Sequence, residues 1–68
     1  MSDQIEKAFT CHPPKDGQPE RYTALRNQAK VLAMAIDAEC PNSREKSLAL
    51  TKLEEAVMWA NAAIARNE

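Results

Sequence analysis

Glycine and histidine occur once each in this 68-residue chain, cysteine twice, and only Phe9, Tyr22 and Trp59 are aromatic. Bulky core material is therefore thin, because twelve of the thirty apolar residues are alanine. A domain this short buries too little surface to be stable by more than a few kcal/mol alone, and a large self-contained enzyme is excluded. Small domains are commonly reinforced by disulfides, a structural metal or self-association. Cys11 and Cys40 allow one bridge at most, and with no C-x-x-C pair and no second histidine neither a zinc site nor a disulfide framework is written. Self-association is the remaining expectation.

Charge of one sign is also missing. Nine basic side chains against ten acidic ones leave a net charge of −1, which argues against a domain that holds DNA or RNA by bulk electrostatics. The start, Met1-Ser2-Asp3-Gln4, lacks the basic and apolar regions of a secretion signal, and no run of eighteen apolar residues exists. The expectation is a soluble cytosolic protein that touches no membrane.

Three zones are visible in what is present. In residues 1–18, Pro13, Pro14 and Gly17 forbid a continuous helix, so this stretch reads as an extended arm or a short turn with a loop. Pro19 suits the first turn of a helix and Glu20 suits its positive end, which predicts a helix over about 19–39. Tyr22, Leu25, Ala29, Leu32 and Ile36 fall in steps of three and four along one seam. A second apolar set, Ala24, Val31, Ala35 and Ala38 with Met34 nearby, lies around the wheel and implies more than one neighbour.

Pro41 ends that helix near Glu39. After a turn at 40–43, either Asn42 or Ser43 caps a second helix; with Asn42 as the cap, Glu45 completes a capping box. The second helix carries Leu50, Leu53, Val57, Ala60 and Ile64 in the same rhythm over about 43–66. Two helices of similar length joined by a short turn pack antiparallel, so residues 19–68 are expected to form an all-α hairpin. Ala49, Ala56 and Ala63 recur every seven residues on another face, which reads either as plain helix propensity or as a seam for a second copy.

Catalytic chemistry finds little support. Cys11 and His12 are adjacent, and neighbours in an extended segment point to opposite sides. Glu54 and Glu55 lie about 100° apart on a helix, as a solvated face would have them. A metal on Cys11, His12 and Cys40 lacks a fourth ligand. No enzyme, no metal and no cofactor are expected.

Arg26 and Lys30, four apart, stack on one helical face, and no acid at i±4 neutralises Arg26. Such a pair is either solvated or set to meet an anion. Arg66 either satisfies the end of its helix or uses its planar guanidinium on phosphate or a base edge. Trp59 either stacks on a purine or fills an inter-subunit gap, Tyr22 begins the seam, Phe9 anchors the arm, and His12 is presented rigidly by the two prolines.

Taken together, Phe9-Thr10-Cys11-His12-Pro13-Pro14, then Tyr22, Arg26, Ala29-Lys30 and Leu32-Ala33, and the tract Ser43 to Asn67 closely resemble a phage helical-hairpin family. It is the domain shared by anti-CBASS type 2 and anti-Thoeris type 1 proteins. Met58-Trp59-Ala60-Asn61-Ala62-Ala63-Ile64-Ala65-Arg66 is the most specific part. The resemblance implies a sponge that holds cyclic oligonucleotide or cyclic ADP-ribose messengers of bacterial immunity without cleaving them, working in the host bacterial cytoplasm. It implies a homo-oligomer, a hexamer in the anti-CBASS members, with cyclic dinucleotide pockets between subunits and separate cyclic trinucleotide sites.

By the same resemblance Arg26 meets phosphates, with Lys30 on the same face, and an aromatic in the arm stacks on a base. This chain has Cys11 at that aromatic position, and Phe9 and His12 are the candidate replacements. For the trinucleotide-type site the resemblance points to Arg66, with His12 and Gln28. The competing expectation is an oligomeric helical module that docks a protein and binds no nucleotide.

Overall fold

A computed structural model describes residues 2–68 of the chain. Its elements are α1 (Ser2–Phe9), α2 (Gln18–Glu39) and α3 (Arg44–Asn67), with no strand among the described residues. The two long helices pack against each other as the hairpin.

The expectation of an extended arm requires correction, because Ser2–Phe9 is helical. The breakers Pro13 and Pro14 act on the residues beside them, and nothing in SDQIEKAF opposes a helix. Asp3 in the first turn and Lys7 in the last also complement the helix dipole. Only Thr10 to Lys15 run without regular structure before the turn at Asp16-Gly17. Gly17 adopts the left-handed conformation (φ 82°) at the N-cap of α2, which a side chain would strain.

That turn is locked onto the far end of the chain. Gln18, only 3% exposed, accepts from the Lys15 backbone N–H at 2.9 Å and donates from Nε2 to Glu68 Oε1 at 3.2 Å. The Arg21 guanidinium donates to the same carboxylate, and Lys15 Nζ donates to the Glu68 carbonyl. The Arg21 hydrogen bond, followed by that of Gln18, holds the Glu68 carboxyl below its usual range. A depressed carboxyl stabilises the fold above its unfolded-state value, about 4.3, and the contribution is lost as pH falls through the lower folded value. Glu68→Gln is therefore expected to lower the urea midpoint slightly at pH 7. The gap to wild type should close on acidification below about pH 4.

The opposite end of the hairpin is held by Lys46. Its Nζ donates to the Asp37 carbonyl at 2.9 Å and to Asn42 Oδ1 at 3.0 Å, and it pairs with Asp37 Oδ1 at 3.1 Å. A cation at the carbonyl end of α2 also answers the helix dipole. Ser43 is the cap of α3, with Oγ accepting from Lys46 N–H at 3.1 Å. Asn42 is not the cap, so Glu45 forms no capping box; Asn42 turns to Lys46 instead. Cys40, extended ahead of Pro41, closes α2 through its N–H to the Ile36 carbonyl at 3.0 Å.

Tyr22, Leu25, Ala29, Ala33 and Ile36 of α2 are half-buried against Leu50, Leu53, Val57, Ala60 and Ile64 of α3. Leu32, expected in the seam, is 51% exposed. An α-helix repeats every 3.6 residues, so after Ala29 the inward position falls on Ala33, four residues on, and Leu32 rotates outward. Among the described residues no apolar side chain is fully buried. The accessible surface is 5558 Å², against about 4,300 Å² for an ordinary compact monomer of this mass. Val31, Met34, Leu48, Met58 and Trp59 contribute to the excess, and Ala24, Ala35 and Ala38 lie exposed on α2 as Ala49, Ala56 and Ala63 do on α3. No helix among the described residues is long and apolar enough to cross a membrane.

Candidate functional site

Because α1 folds back beside the hairpin, a hollow forms where its last turn, the first half of α2 and the final turns of α3 meet. It measures about 510 Å³ and is lined by Lys7, Thr10, His12, Tyr22, Arg26, Asn61 and Arg66, with alanines between them. Ala62 and Ala65 keep the α3 wall low, which leaves room between the cations. Four side chains able to carry positive charge thus converge from three elements and the connecting loop.

Each is oriented by its neighbours. His12 lies within 3.0 Å of the Lys7 carbonyl through Nε2, so Nε2 must carry the proton and Nδ1 stays available to a ligand. Lys7 Nζ donates to Asn67 Oδ1 at 3.2 Å, and Asn67 Nδ2 donates to the Ala63 carbonyl at 3.0 Å, which holds α1 to α3. Among the described residues none of Lys7, Arg26, Lys30 and Arg66 pairs with a carboxylate. Their charge is uncompensated, and an anion entering the hollow would meet donors from several sides.

One acceptor stands among these donors. Asn61 Oδ1 is buried and has no hydrogen-bond partner. A buried, unpaired oxygen costs about 1–3 kcal/mol, so Asn61→Leu, which removes the polar group at similar volume, is expected to leave thermal stability equal or higher. A fall in melting temperature would show instead that the amide is satisfied by another chain.

The candidate residues distribute unevenly. His12, Arg26 and Arg66 come together in this hollow. Lys30 lines a separate groove between α2 and α3, shared with Arg26 and Glu54 and floored by Leu50, Leu53 and Val57. Phe9 and Trp59 both line a second hollow of about 550 Å³. Cys11 and Gln28 are exposed and stand apart from these walls. Lys7 and Asn61 were not among the residues expected here; a helical reading of Ser2–Phe9 would have placed Lys7 one turn beyond Asp3 on a fixed face. No group of His, Cys, Asp and Glu among the described residues is arranged to hold a metal ion.

Comparison with known proteins bears on this arrangement. A family model described as "Acb2/Tad1, hairpin domain" matches residues 1–65. Neither the curated proteins nor the solved structures contain a match.

Proposed function

The chain belongs to the Acb2/Tad1 hairpin-domain family, and from that membership we propose that it sequesters cyclic oligonucleotide messengers of bacterial immunity without cleaving them. The family name itself denotes an anti-CBASS and anti-Thoeris role. The finer reading is a phage protein acting in the host bacterial cytoplasm, which holds cyclic dinucleotides, and trinucleotides at a second site, so that CBASS effectors are starved of ligand.

The observation that carries this reading is the convergence of Lys7, His12, Arg26 and Arg66 on one open hollow beside exposed aromatics. A near-neutral chain is compatible with it, since a cyclic dinucleotide has two phosphates and needs a few well-placed cations, not a basic face. Sequestration, unlike catalysis, needs no nucleophile and base in register. It needs tight binding, small size and many copies. The same proposal includes a homo-oligomer, a hexamer, which would cover the apolar surface that one copy leaves open.

The test is to incubate the protein with cyclic di- and trinucleotides, measure free ligand by equilibrium dialysis, and then denature the protein and assay what is released. Depletion followed by recovery of intact ligand is expected. A linearised product would overturn the sponge reading, and no depletion would favour the competing protein-docking module, which draws on the exposed Val31, Met34 and Met58.

A further inference from the structure

Little holds the arm to the hairpin. Every described side chain from Asp3 to Cys11 lies open, Ile5 at 58% and Phe9 at 86% among them, and an eight-residue helix is not stable in water by itself. Apolar burial therefore does not fix α1, and polar contacts must. Among the described residues, the hairpin receives side-chain hydrogen bonds from this segment at three points. Lys7 Nζ donates to Asn67 Oδ1, the Lys15 N–H to Gln18 Oε1, and Lys15 Nζ to the Glu68 carbonyl. Gln18 is itself bound to the Glu68 carboxylate. The attachment thus converges on two adjacent residues at the close of α3, beyond the span that the family model matches.

The partners are divided by charge. Lys7 lines the cationic hollow and meets a neutral amide, which leaves its ammonium uncompensated towards an anion. Arg21 lies outside that hollow and takes the carboxylate of Glu68. Asn67 and Glu68 do not line the hollow either. Asn67 is set for its task by Nδ2, whose bond to the Ala63 carbonyl turns Oδ1 towards Lys7.

We infer that Asn67 and Glu68 are positioning residues that set how long an anionic ligand stays bound, by anchoring the arm that brings Lys7, Thr10 and His12 to the wall of the hollow. This rests on the sequestration reading and adds what governs release. Exposed polar contacts open locally at little cost, and each opening withdraws one wall and its cation from the ligand. Arg26 on α2 and Arg66 on α3 stay in place and continue to steer association. Loss of the anchor therefore acts on the dissociation rate, where most affinity differences between related complexes arise.

The arm can be followed directly, because Cys11 on the arm and Cys40 at the far end of the hairpin are the only cysteines, both free and exposed. Spin labels on the two, with labelled chains diluted into Cys11→Ser/Cys40→Ser protein, give one distance per labelled copy. That distance should be narrow in wild type and broad in an Asn67→Ala/Glu68→Ala double variant. Release is measured by stopped-flow anisotropy with the fluorescein-labelled form of whichever of cyclic GMP–AMP, cyclic di-AMP and cyclic tri-AMP the wild type retains. The double variant should release it about tenfold faster, with association changed by less than about twofold. Glu68→Gln keeps an acceptor for Gln18 and should fall between. Lys7→Ala should weaken binding about tenfold in wild type and little in the double variant, because a withdrawn arm has no Lys7 contact to lose.

Unchanged release in the double variant, or a Lys7→Ala effect equal in both backgrounds, overturns the anchor and leaves sequestration standing. A narrow distance retained by the double variant does the same and assigns the arm's hold to another contact. Failure of the wild type to retain any of the three cyclic oligonucleotides overturns the anchor's role together with the reading beneath it. Where the double variant does not assemble, the wild-type distance and Glu68→Gln decide: a broad wild-type distribution, or wild-type release from Glu68→Gln, overturns the anchor.

Discussion

Arg26→Ala is expected to release cyclic dinucleotide while leaving the assembly intact. Arg26 is exposed, takes no carboxylate partner among the described residues, and stands one turn from Tyr22 on the wall of the cationic hollow. Nothing in the packing of the hairpin depends on it, so its removal should change stability by no more than about 0.5 kcal/mol. A hydrogen bond to a charged group is worth about 1.5–3 kcal/mol, which corresponds to an affinity loss of roughly 10- to 150-fold. Arg26→Lys keeps the charge and loses the planar fork, so it should fall between wild type and alanine. Calorimetric titration with light scattering on the same samples decides. An Arg26→Ala protein that binds as wild type would remove this residue from the site. One that also dissociates would show that its role is structural.

The second large effect is expected at Leu32. Its side chain is 51% exposed in the single chain and sits beside Val31 at 69% and Met34 at 63%, an apolar face that the hairpin does not use. Burying a leucine contributes about 1.5–3 kcal/mol, repeated in every copy of a symmetric oligomer. Leu32→Glu would set a carboxylate in each of those contacts. Dissociation and a fall in melting temperature of more than about 10 °C should follow, because a lone hairpin with no fully buried apolar side chain has little to stand on. Wild-type melting should rise with protein concentration, since association stabilises by mass action. Sedimentation velocity and differential scanning calorimetry across a hundredfold concentration range measure both. A Leu32→Glu protein that melts and sediments unchanged would mean that this face remains solvated and that the second apolar set has another purpose.

The hairpin was readable because its signals are local and repetitive. Pro19 and Glu20 mark one helix start, Pro41 marks its end, and Ser43 offers a cap. The α3 seam follows the expected residues throughout, and only in α2 does the helical repeat pass from Leu32 to Ala33. The arm was harder. Pro13, Pro14 and Gly17 dominate its composition, yet their influence is local and leaves Ser2–Phe9 free to be helical. An extended arm leaves Lys7 without a fixed position, whereas the helix brings it to Asn67, sixty residues away.

The site shows the same division more sharply. Arg26 is visible in the sequence as a cation with no acid one turn away, Arg66 as a cation at the end of its helix, and His12 as a ring presented by prolines. Their convergence was not visible, because it depends on the loop from Thr10 to Lys15 folding back and on Gln18, Arg21 and Lys15 clasping Glu68. An unpaired acceptor such as Asn61 Oδ1 has no sequence signature, since an asparagine in a helix is satisfied by water unless tertiary packing buries it. The hollow that Phe9 and Trp59 both line likewise draws on two elements fifty residues apart.

By itself the amino-acid order determined an all-helical hairpin, its turn and its scarcity of core, because periodicity, capping and breakers act over a few residues and survive without knowledge of the fold; the family is carried separately, by the likeness of whole tracts to its model over residues 1–65. Tertiary structure alone decided that the first segment is a helix, that four basic side chains from separate elements share one hollow, and that two aromatics frame the space beside it. Those outcomes rest on contacts across the length of the chain, where a buried glutamine and a shared carboxylate choose one docking of the arm among many that local preference allows.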